Sequence, residues 1–319
     1  MANLTTSKTS VNVGVDVGKF SLDIFIHEKG IHLKEENTSQ GIKKLLKRLS
    51  YYSVDRIVME ATGRYEFSLA EACYEKELPV VIAKPISVRR YAGAIDQLAK
   101  TDKIDKIDAM VIAEYAAKVK PKVTPQKSKN LIIIKDLLAR RRQIMHMRTQ
   151  ELNRIKVMGK AFEISCNRMI KMFDKEIDRM ESKLQTHVEK QAEWSERQEI
   201  LLSVPGVGNT LVYSILADLP EIGTLTNNQI SKLVGVAPIN RDSGRMRGKR
   251  RIIGGRANIR TTLYMATLSA TLCNPVIRSF YLKLKSKGKH SKVAITACMR
   301  KLITMLNAMV RDKNEWCVN

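Results

Sequence analysis

The sequence predicts an α/β domain followed by helical regions, so the chain as a whole falls in the class α/β plus all-α. Near the N-terminus, short segments of alternating apolar and polar residues, typical of strands, alternate with helix-like segments. From residue 131 to about residue 200 the apolar residues follow helical spacing only. We predict an α/β domain over 1–125, a helical connector over 126–195 and a small helical domain over 196–319.

The predicted elements of the first part place two carboxylates at strand ends. Valines alternate with other residues over 11–17, and Gly18-Lys19 supplies a turn into a second strand over 22–26. Asp16 therefore lies near the end of the first strand, on the face opposite the valines. The segments that follow are a helix over 41–49, a short strand over 56–59 that runs into Glu60, a helix over 67–78 and a strand over 80–83.

A third group of acids opens the next predicted helix, where Asp102, Asp105 and Asp108 recur every three residues. Helix capping and a solvated charged face would explain any one of them. A pair of them, together with Asp16 and Glu60, suggests a cage of four carboxylates, which can bind two divalent ions about 4 Å apart on a phosphodiester. Ligands that are all oxygen favour Mg²⁺, with Mn²⁺ possible.

The composition favours a polyanionic partner, because the formal net charge is +24 over 319 residues. Nucleic acid is the leading candidate and a membrane surface is the competing one. No apolar run approaches the ~20 residues that span a bilayer, and the N-terminus lacks a signal-peptide pattern. We therefore expect an intracellular protein that does not bind membranes. The scattered cysteines and histidines argue against disulfides and a zinc site.

The connector reads as two amphipathic helices. Leu138, Met145 and Leu152 repeat every seven residues, and a second apolar stripe runs from Phe173 to Val188. A helical hairpin and an intermolecular coiled coil both fit this spacing. The first helix is basic through Arg140, Arg141, Arg142, Arg148 and Arg154, which leaves packing and nucleic-acid contact equally open.

The last part contains a serine in a strongly basic, glycine-punctuated segment, residues 238–251. Guanidinium groups match phosphate geometry and stabilise developing negative charge, so Ser243 is a candidate nucleophile toward a phosphodiester. The alternative is a basic loop that grips a nucleic-acid backbone, with Ser243 as a turn residue. In either case the candidate nucleic-acid-binding side chains are Arg241, Arg245, Arg247, Lys249, Arg250 and Arg251.

A second glycine segment, Pro205-Gly206-Val207-Gly208, precedes a helix-like run and resembles a helix-hairpin-helix turn. In such turns the glycines let backbone N–H groups approach a phosphate at a helix N-terminus. Gly206 and Gly208 are therefore further candidates for nucleic-acid binding, and a simple tight turn is the alternative.

These landmarks, taken in order, resemble the DEDD transposases of insertion sequences that are related to the Piv invertase. The matching segments span nearly the whole chain: 14–19, 60–63, 100–105, 205–208 and 238–255. The resemblance implies an RNase H-like (RuvC-like) N-terminal domain, a coiled-coil connector and a C-terminal transposase domain. It also implies that four acidic residues bind magnesium and that a C-terminal serine forms a transient 5′-phosphoserine link to DNA.

The partners follow from the same resemblance. Family members act as tetramers in which the carboxylates of one subunit meet the serine of another, so we expect a homo-oligomer, dimer to tetramer. They act on donor and target DNA, which a structured noncoding RNA, the bridge RNA, selects. The expected location is the cytoplasm, at the nucleoid.

Residue by residue, Asp16, Glu60 and Ser243 fall on the motif positions of this family, but the acidic pair does not fall cleanly. The usual pattern is Lys-Thr-Asp-x-x-Asp-Ala, whereas here Lys-Ile-Asp is duplicated before Ala109. Two registers for the pair result.

Counted from Glu60 the pair is Asp102 and Asp105, and counted from the following helix it is Asp105 and Asp108. Three residues turn a helix by about 300°, so only one register can point both acids at the metals. Asp105 belongs to both. We rank Asp102 above Asp108 because Lys100-Thr101 directly precedes it.

Physical reasoning, apart from the resemblance, assigns Arg241, Arg245 and Arg247 to neutralising charge at the phosphorus. Two alternatives remain. A metal-only nuclease of the junction-resolvase type would use water in place of Ser243, and a packaging protein would use only its charge. The clustered acids argue against pure packaging, since they repel phosphate unless metal ions bridge them.

Overall fold

The computed structural model describes residues 10–95, 104–240, 242–243, 246–248 and 250–317, and of residues 104–107, 192–193, 242–243 and 246–247 it describes the backbone alone. The chain divides into two compact units, with the boundary between Lys127 and Ser128. Asp102, Arg241, Arg245 and Lys249 lie outside the described residues. The three-part division at 125 and 195 stays a prediction.

Unit 1 is an α/β unit built on a mixed sheet, as the strand and helix alternation predicts. Its strands are β1 (Ser10–Val17), β2 (Ser21–Ile26), β3 (Ile31–Glu36), β4 (Ser53–Glu60) and β5 (Val80–Ala83). They lie in the order β3-β2-β1-β4-β5. β2 is antiparallel to β1 and β3, whereas β4 is parallel to β1 and β5. The hairpin β1–β2 is confirmed, and β3 is a strand that the sequence pattern did not predict.

Two layers of helices cover the two faces of this sheet. The helices are α1 (Ser39–Leu49), α2 (Phe67–Glu75), α3 (Pro85–Ala94) and α4 (Ile104–Val119). The alternating valines of β1 pack into one core with Leu45 of α1 and Leu69 of α2, all of which are buried. On the other face, Val58 of β4 packs with Ile112 of α4 and Val88 of α3. The period of two in β1 therefore separates an all-apolar face from the face that carries Asp16.

Gly14 lets α4 cross the sheet at backbone distance. A Cβ on Gly14 would overlap the backbone nitrogen of Ala113 and the carbonyl oxygen of Ala109, and would lie 2.8 Å from the Ala113 Cα. Ala109 and Ala113, one turn apart on α4, are fully buried at this crossing. Three small residues therefore set how far α4 stands from the sheet and where along its axis it rests.

Gly14→Ala is expected to destabilise unit 1, because the added methyl must push α4 away from β1. Overpacking of this kind costs about 1–3 kcal/mol, which should lower the melting temperature by several degrees. Thermal denaturation followed by circular dichroism measures it. Gly159→Ala is the control, since a Cβ there meets nothing within 4 Å. Equal melting temperatures for the two variants would contradict the close crossing.

Unit 2 is helical and closes around a continuous apolar core. Its helices are α5 (Lys129–Val157), α6 (Glu163–Glu189), α7 (Ala192–Leu202), α8 (Asn209–Asp218), α9 (Asn227–Val234), α10 (Ala257–Cys273), α11 (Pro275–Ser286) and α12 (Ser291–Asp312). The first turns of α5 and the end of α6 share this core with α8 to α12 through residues such as Ile134 and Leu184.

α5 and α6 pack against each other as a helical hairpin, around a cluster that contains Ile144, Phe173 and Met180. Three of the five arginines named in α5 pair with acids of the same hairpin: Arg141 with Glu181 at 2.6 Å, Arg148 with Asp174 at 2.5 Å, and Arg154 with Glu151. These ion pairs favour packing as the role of the arginines.

One described helix, α12, is long and apolar enough to cross a membrane by length and composition. Its apolar side chains serve the core instead, because Cys298, Leu302 and Leu306 are fully buried against the other helices of unit 2. The apolarity of α12 is thus that of a core helix.

Candidate active site

Asp16 and Glu60 lie side by side at the carboxyl ends of two parallel strands. Val15 of β1 is paired with Met59 of β4, so the next residues of the two strands, Asp16 and Glu60, are neighbours. Residues two positions apart in a strand point to the same face of the sheet. Glu60 therefore shares a face with Val58, which packs against α4, and Asp16 shares a face with Gly14, which α4 crosses. Both half-buried carboxylates therefore lie on the α4 face of the sheet.

α4 brings a third carboxylate to this edge. Burial, together with the negative charge of Asp108, raises the pKa of Glu60 above its usual range, and the Arg89 guanidinium opposes this rise. Asp108 precedes Ala109, the residue at the Gly14 crossing, and its side chain is exposed. Asp105 lies one helical turn earlier in the backbone of α4.

The donor set suits a hard divalent cation, because it consists of carboxylates whose mutual repulsion a cation would relieve. Within the described residues, no three Asp, Glu, His or Cys side chains already lie close enough to hold a metal ion. The side chains of Asp102 and Asp105 lie outside that search. Among the described residues, Asp16, Glu60 and Asp108 are the candidate ligands at this edge, and a cation would have to draw them closer together.

Glu60→Gln is expected to stabilise the metal-free protein at neutral pH. A carboxyl whose pKa is raised on folding contributes stability below its unfolded-state pKa, and this contribution is lost as the pH rises through the raised value. The neutral amide has no such loss. Melting temperatures in EDTA should favour the variant at pH 7 and converge near about pH 4.

Mg²⁺ should then raise the melting temperature of the wild type and not that of Glu60→Gln. A variant that melts below the wild type at pH 7 in EDTA would contradict the repulsion between Glu60 and Asp108.

The backbone beyond both strand ends is tied together by polar side chains. The Thr62 hydroxyl donates to the Val17 carbonyl at 3.0 Å, and the Asn37 amide donates to the carbonyls of Gly18 and Tyr65 at 3.0 and 3.1 Å. The segment after Asp16 is thus linked to the segment after Glu60.

The buried side chain of Glu66 forms hydrogen bonds with the backbone of the loop that follows Glu60. Its carboxylate, 4% exposed, accepts from the backbone N–H groups of Thr62 at 3.2 Å and Arg64 at 3.0 Å. Gly63 and Arg64 both have positive φ, 70° and 90°, a conformation that is uncommon for arginine. The buried acceptor stabilises this turn. Sequence reasoning missed Glu66, although an acid six residues beyond a strand-end glutamate was visible.

A buried acid also neighbours Asp16 on the other side. Asp23 of β2 is directly opposite Asp16, so the two side chains share a face, and Asp23 is 4% exposed. Lys34 Nζ lies 3.2 Å and His32 Nε2 lies 3.7 Å from the Asp23 carboxylate. Lys34 therefore offsets the charge of Asp23. The sequence analysis did not identify Asp23 as a neighbour of the site.

In unit 2 the basic serine segment forms an antiparallel arm between α9 and α10, which we call the serine arm, residues 236–255. Its short strands are β6 (Pro238–Ile239), β7 (Asp242–Ser243), β8 (Met246–Arg247) and β9 (Arg251–Ile252). β6 pairs with β9, and in β7–β8 Ser243 is opposite Met246 and Asp242 is opposite Arg247. Ser243 is thus the last residue of β7. Arg250 and Arg251 are exposed.

Glycines and an arginine fix the base of the serine arm. Gly235 and Gly255 have φ of 79° and 73°, and a Cβ on Gly255 would lie 2.5 Å from the Gly235 Cα. Arg256 donates to both carboxylate oxygens of Glu221 at 2.6 Å and to the Asp218 carbonyl at 2.8 Å. Its guanidinium lowers the pKa of Glu221. These bonds anchor the residue before α10 to the end of α8 and to the turn that follows it.

The two glycines of the turn between α7 and α8 differ in role. A Cβ on Gly206, whose φ is 92°, would lie 2.6 Å from the Ala270 Cα, so packing against α10 accounts for this glycine. Gly208 is the exposed N-cap of α8, and a Cβ there meets nothing within 4 Å. Of these two glycines, Gly208 is the one that leaves a helix N-terminus open to a phosphate.

Comparisons with known proteins find matches in both units. Residues 13–159 match a family model described as a transposase, of the DEDD type of IS110. Residues 198–282 match the model of the transposase IS116/IS110/IS902 family. The first match contains Asp16, Glu60 and α4, and the second contains the serine arm.

Relatives align over different lengths. The chain is 25% identical over 314 residues to the pilin gene-inverting protein of Moraxella bovis, covering 95% of this chain and 97% of the relative. It is 31% identical over 120 residues to the insertion element IS116 uncharacterized 44.8 kDa protein of Streptomyces clavuligerus, and this alignment covers 37% of this chain and 30% of the relative. It is also 32% identical over 120 residues to the insertion element IS900 uncharacterized 42 kDa protein of Mycobacterium paratuberculosis, and this alignment covers 36% of this chain and 29% of the relative.

These matches define the class as DNA transposases and recombinases, which are enzymes. Within that class, the chain belongs to the IS116/IS110/IS902 family of transposases, since two models of this family match successive parts of it.

Proposed function

We propose that this transposase cuts and rejoins DNA through a transient phosphoserine on Ser243, with Mg²⁺ held by a carboxylate cage in an RNase H-like unit 1. One observation carries the proposal: Asp16 and Glu60 end neighbouring parallel strands beneath a helix that brings Asp108 close enough to raise the Glu60 pKa. The mixed five-stranded sheet is compatible with an RNase H-like domain.

The crossing at Gly14 favours Asp105 and Asp108 as the helical pair of the cage, in place of our ranking of Asp102. Bringing Asp105 to the present position of Asp108 would slide α4 by three residues, about 4.5 Å. Lys106 and Met110 would then replace Ala109 and Ala113 at the crossing, where a single methyl on Gly14 already overlaps the helix backbone. We therefore propose the cage Asp16, Glu60, Asp105 and Asp108.

Strand cleavage then follows a balanced exchange of bonds. The Ser243 hydroxyl attacks the scissile phosphorus, a Ser Oγ–P bond forms, and the P–O3′ bond breaks to release a 3′-hydroxyl. Bound Mg²⁺ supplies the charge stabilisation for the phosphorus and the leaving oxygen. A 3′-hydroxyl of the other DNA later attacks the same phosphorus, which re-forms a phosphodiester and frees Ser243.

Basic groups around Ser243 have separate tasks. We assign Arg241, Arg245 and Arg247 to the charge that develops on phosphorus, since guanidinium forks match its oxygens. Lys249, Arg250 and Arg251 bind the backbone on either side, as does the open helix N-terminus at Gly208.

The family resemblance supplies the partners of this proposal. Donor and target DNA are the substrates, a bridge RNA selects them, and a homo-oligomer, dimer to tetramer, pairs the carboxylates of one subunit with the serine of another. The pilin gene-inverting relative favours rearrangement of DNA as the outcome. The proposed location is the cytoplasm, at the nucleoid.

The test is to incubate the full chain with DNA that carries the flanks of its element, co-expressed RNA and Mg²⁺. We expect a protein–DNA adduct that survives denaturation and whose peptide map places the link on Ser243. Cleavage that leaves no adduct would indicate a nuclease in which water attacks.

A further inference from the structure

A long C-terminal stretch of the sequence is basic and contains no acidic residue. From Ser243 to Arg311 there are 16 Lys and Arg residues and no Asp or Glu. Part of this charge belongs to the serine arm, which the proposed function already uses. A second concentration lies at the corner between α11 and α12, which we call the lysine corner: Lys283, Lys285, Lys287, Lys289, His290 and Lys292.

Every member of the lysine corner is exposed. The turn is held by backbone bonds, from Gly288 N–H to the Lys285 carbonyl at 2.9 Å and from Lys289 N–H to the Leu284 carbonyl at 3.1 Å. Gly288 has a φ of 71°. Among the residues that the structure describes, no carboxylate pairs with these lysines, whose cations therefore repel one another across a short, fixed turn.

The N-terminus of α12 opens onto the same corner. His290 is its N-cap and makes no side-chain capping bond, so the first N–H groups of a 22-residue helix add positive potential. Lys285 Nζ donates to the Ser291 hydroxyl at 3.0 Å, which holds one ammonium beside this helix start. Anionic groups are the chemistry that such a surface binds.

We propose that the lysine corner binds the phosphate backbone of duplex DNA without reading its sequence. Lysines are point charges that lack the planar fork used for base readout, and phosphate contacts position a protein on a duplex. The choice of DNA rests on the proposed function. The family model ends at residue 282, so the corner lies beyond the segment it matches.

The experiment replaces Lys285, Lys287 and Lys289 with Gln in the full chain and measures binding to a duplex of arbitrary sequence by anisotropy over a salt series. Each phosphate contact contributes about 0.9 to the slope of log K against log salt, so the slope should fall by about 2–3. The matched control is Lys171, Lys175 and Lys183→Gln, exposed lysines that lie among the acids of α6. It should leave the slope unchanged.

An unchanged slope in the corner variant overturns the proposal, as does a slope that changes for structured RNA and not for duplex DNA. At saturating DNA the corner variant should still form the Ser243 adduct, because it lacks only backbone contacts. Normal slopes with no adduct in the wild type would instead count against the proposed function. The melting temperature should not move, since every substituted side chain is exposed.

Discussion

Ser243→Ala is expected to abolish strand cleavage while leaving DNA affinity unchanged. The substitution removes the atom that attacks phosphorus in the proposed cleavage step, and loss of a nucleophile costs at least about a thousandfold in rate. Cleavage of end-labelled DNA and the denaturation-resistant adduct are the two measurements, with anisotropy for binding. Both the cleavage and the adduct should fall below detection together.

The matched control is Ser279→Ala, which removes an exposed hydroxyl from α11 in the same unit. It should cleave and form adduct as the wild type does. Undiminished cleavage by Ser243→Ala would show that water attacks, and an adduct retained by that variant would show that another residue is the nucleophile.

Asp108→Asn is expected to reduce cleavage by at least about a hundredfold at saturating Mg²⁺, because it removes a charge from the cage that holds the ions. Asp102→Asn should stay within about threefold of the wild type, since the crossing at Gly14 keeps α4 in the register that presents Asp108. Cleavage rates over a Mg²⁺ titration separate the two variants.

A second readout does not depend on activity. Removing the Asp108 charge should lower the Glu60 pKa, so the stability of the metal-free variant should fall less as the pH rises from 4 to 8. Asp55→Asn, at the other end of β4, is the control for charge alone. A severe loss of cleavage in Asp102→Asn, together with normal cleavage by Asp108→Asn, would instead assign the metal-binding pair to Asp102 and Asp105.

Local sequence patterns predict much of the fold of unit 1. The valines of β1 show which face is buried, and the residue order then places Asp16 on the opposite face and Glu60 at a strand end. Pattern did not resolve the acidic pair, because Lys-Ile-Asp repeats give two registers that are locally equivalent. Our proposal of Asp105 and Asp108 rests instead on a contact between residues about a hundred positions apart, Gly14 with Ala113.

Other features escaped prediction for the same reason. The pairing of β6 with β9 joins short segments across the arm, and strands of two residues leave no periodic signal. The links of Thr62 and Asn37 to the β1–β2 turn are side-chain bonds to carbonyl groups whose positions only the folded chain defines. In the sequence, nothing distinguishes Asp23 from other acidic residues of strands. Its pairing with Lys34 depends on β3 lying beside β2 in the folded sheet.

The burial of α12 bears on how the protein is made. This helix packs against α7, α9, α10 and α11, so the core beneath the serine arm stays open on the ribosome until the chain as far as Asp312 has emerged. The carboxylate unit has all of its own strands and helices long before that moment and can fold during synthesis. Premature termination before residue 291 would therefore release a folded carboxylate unit joined to a unit 2 whose core lacks α12.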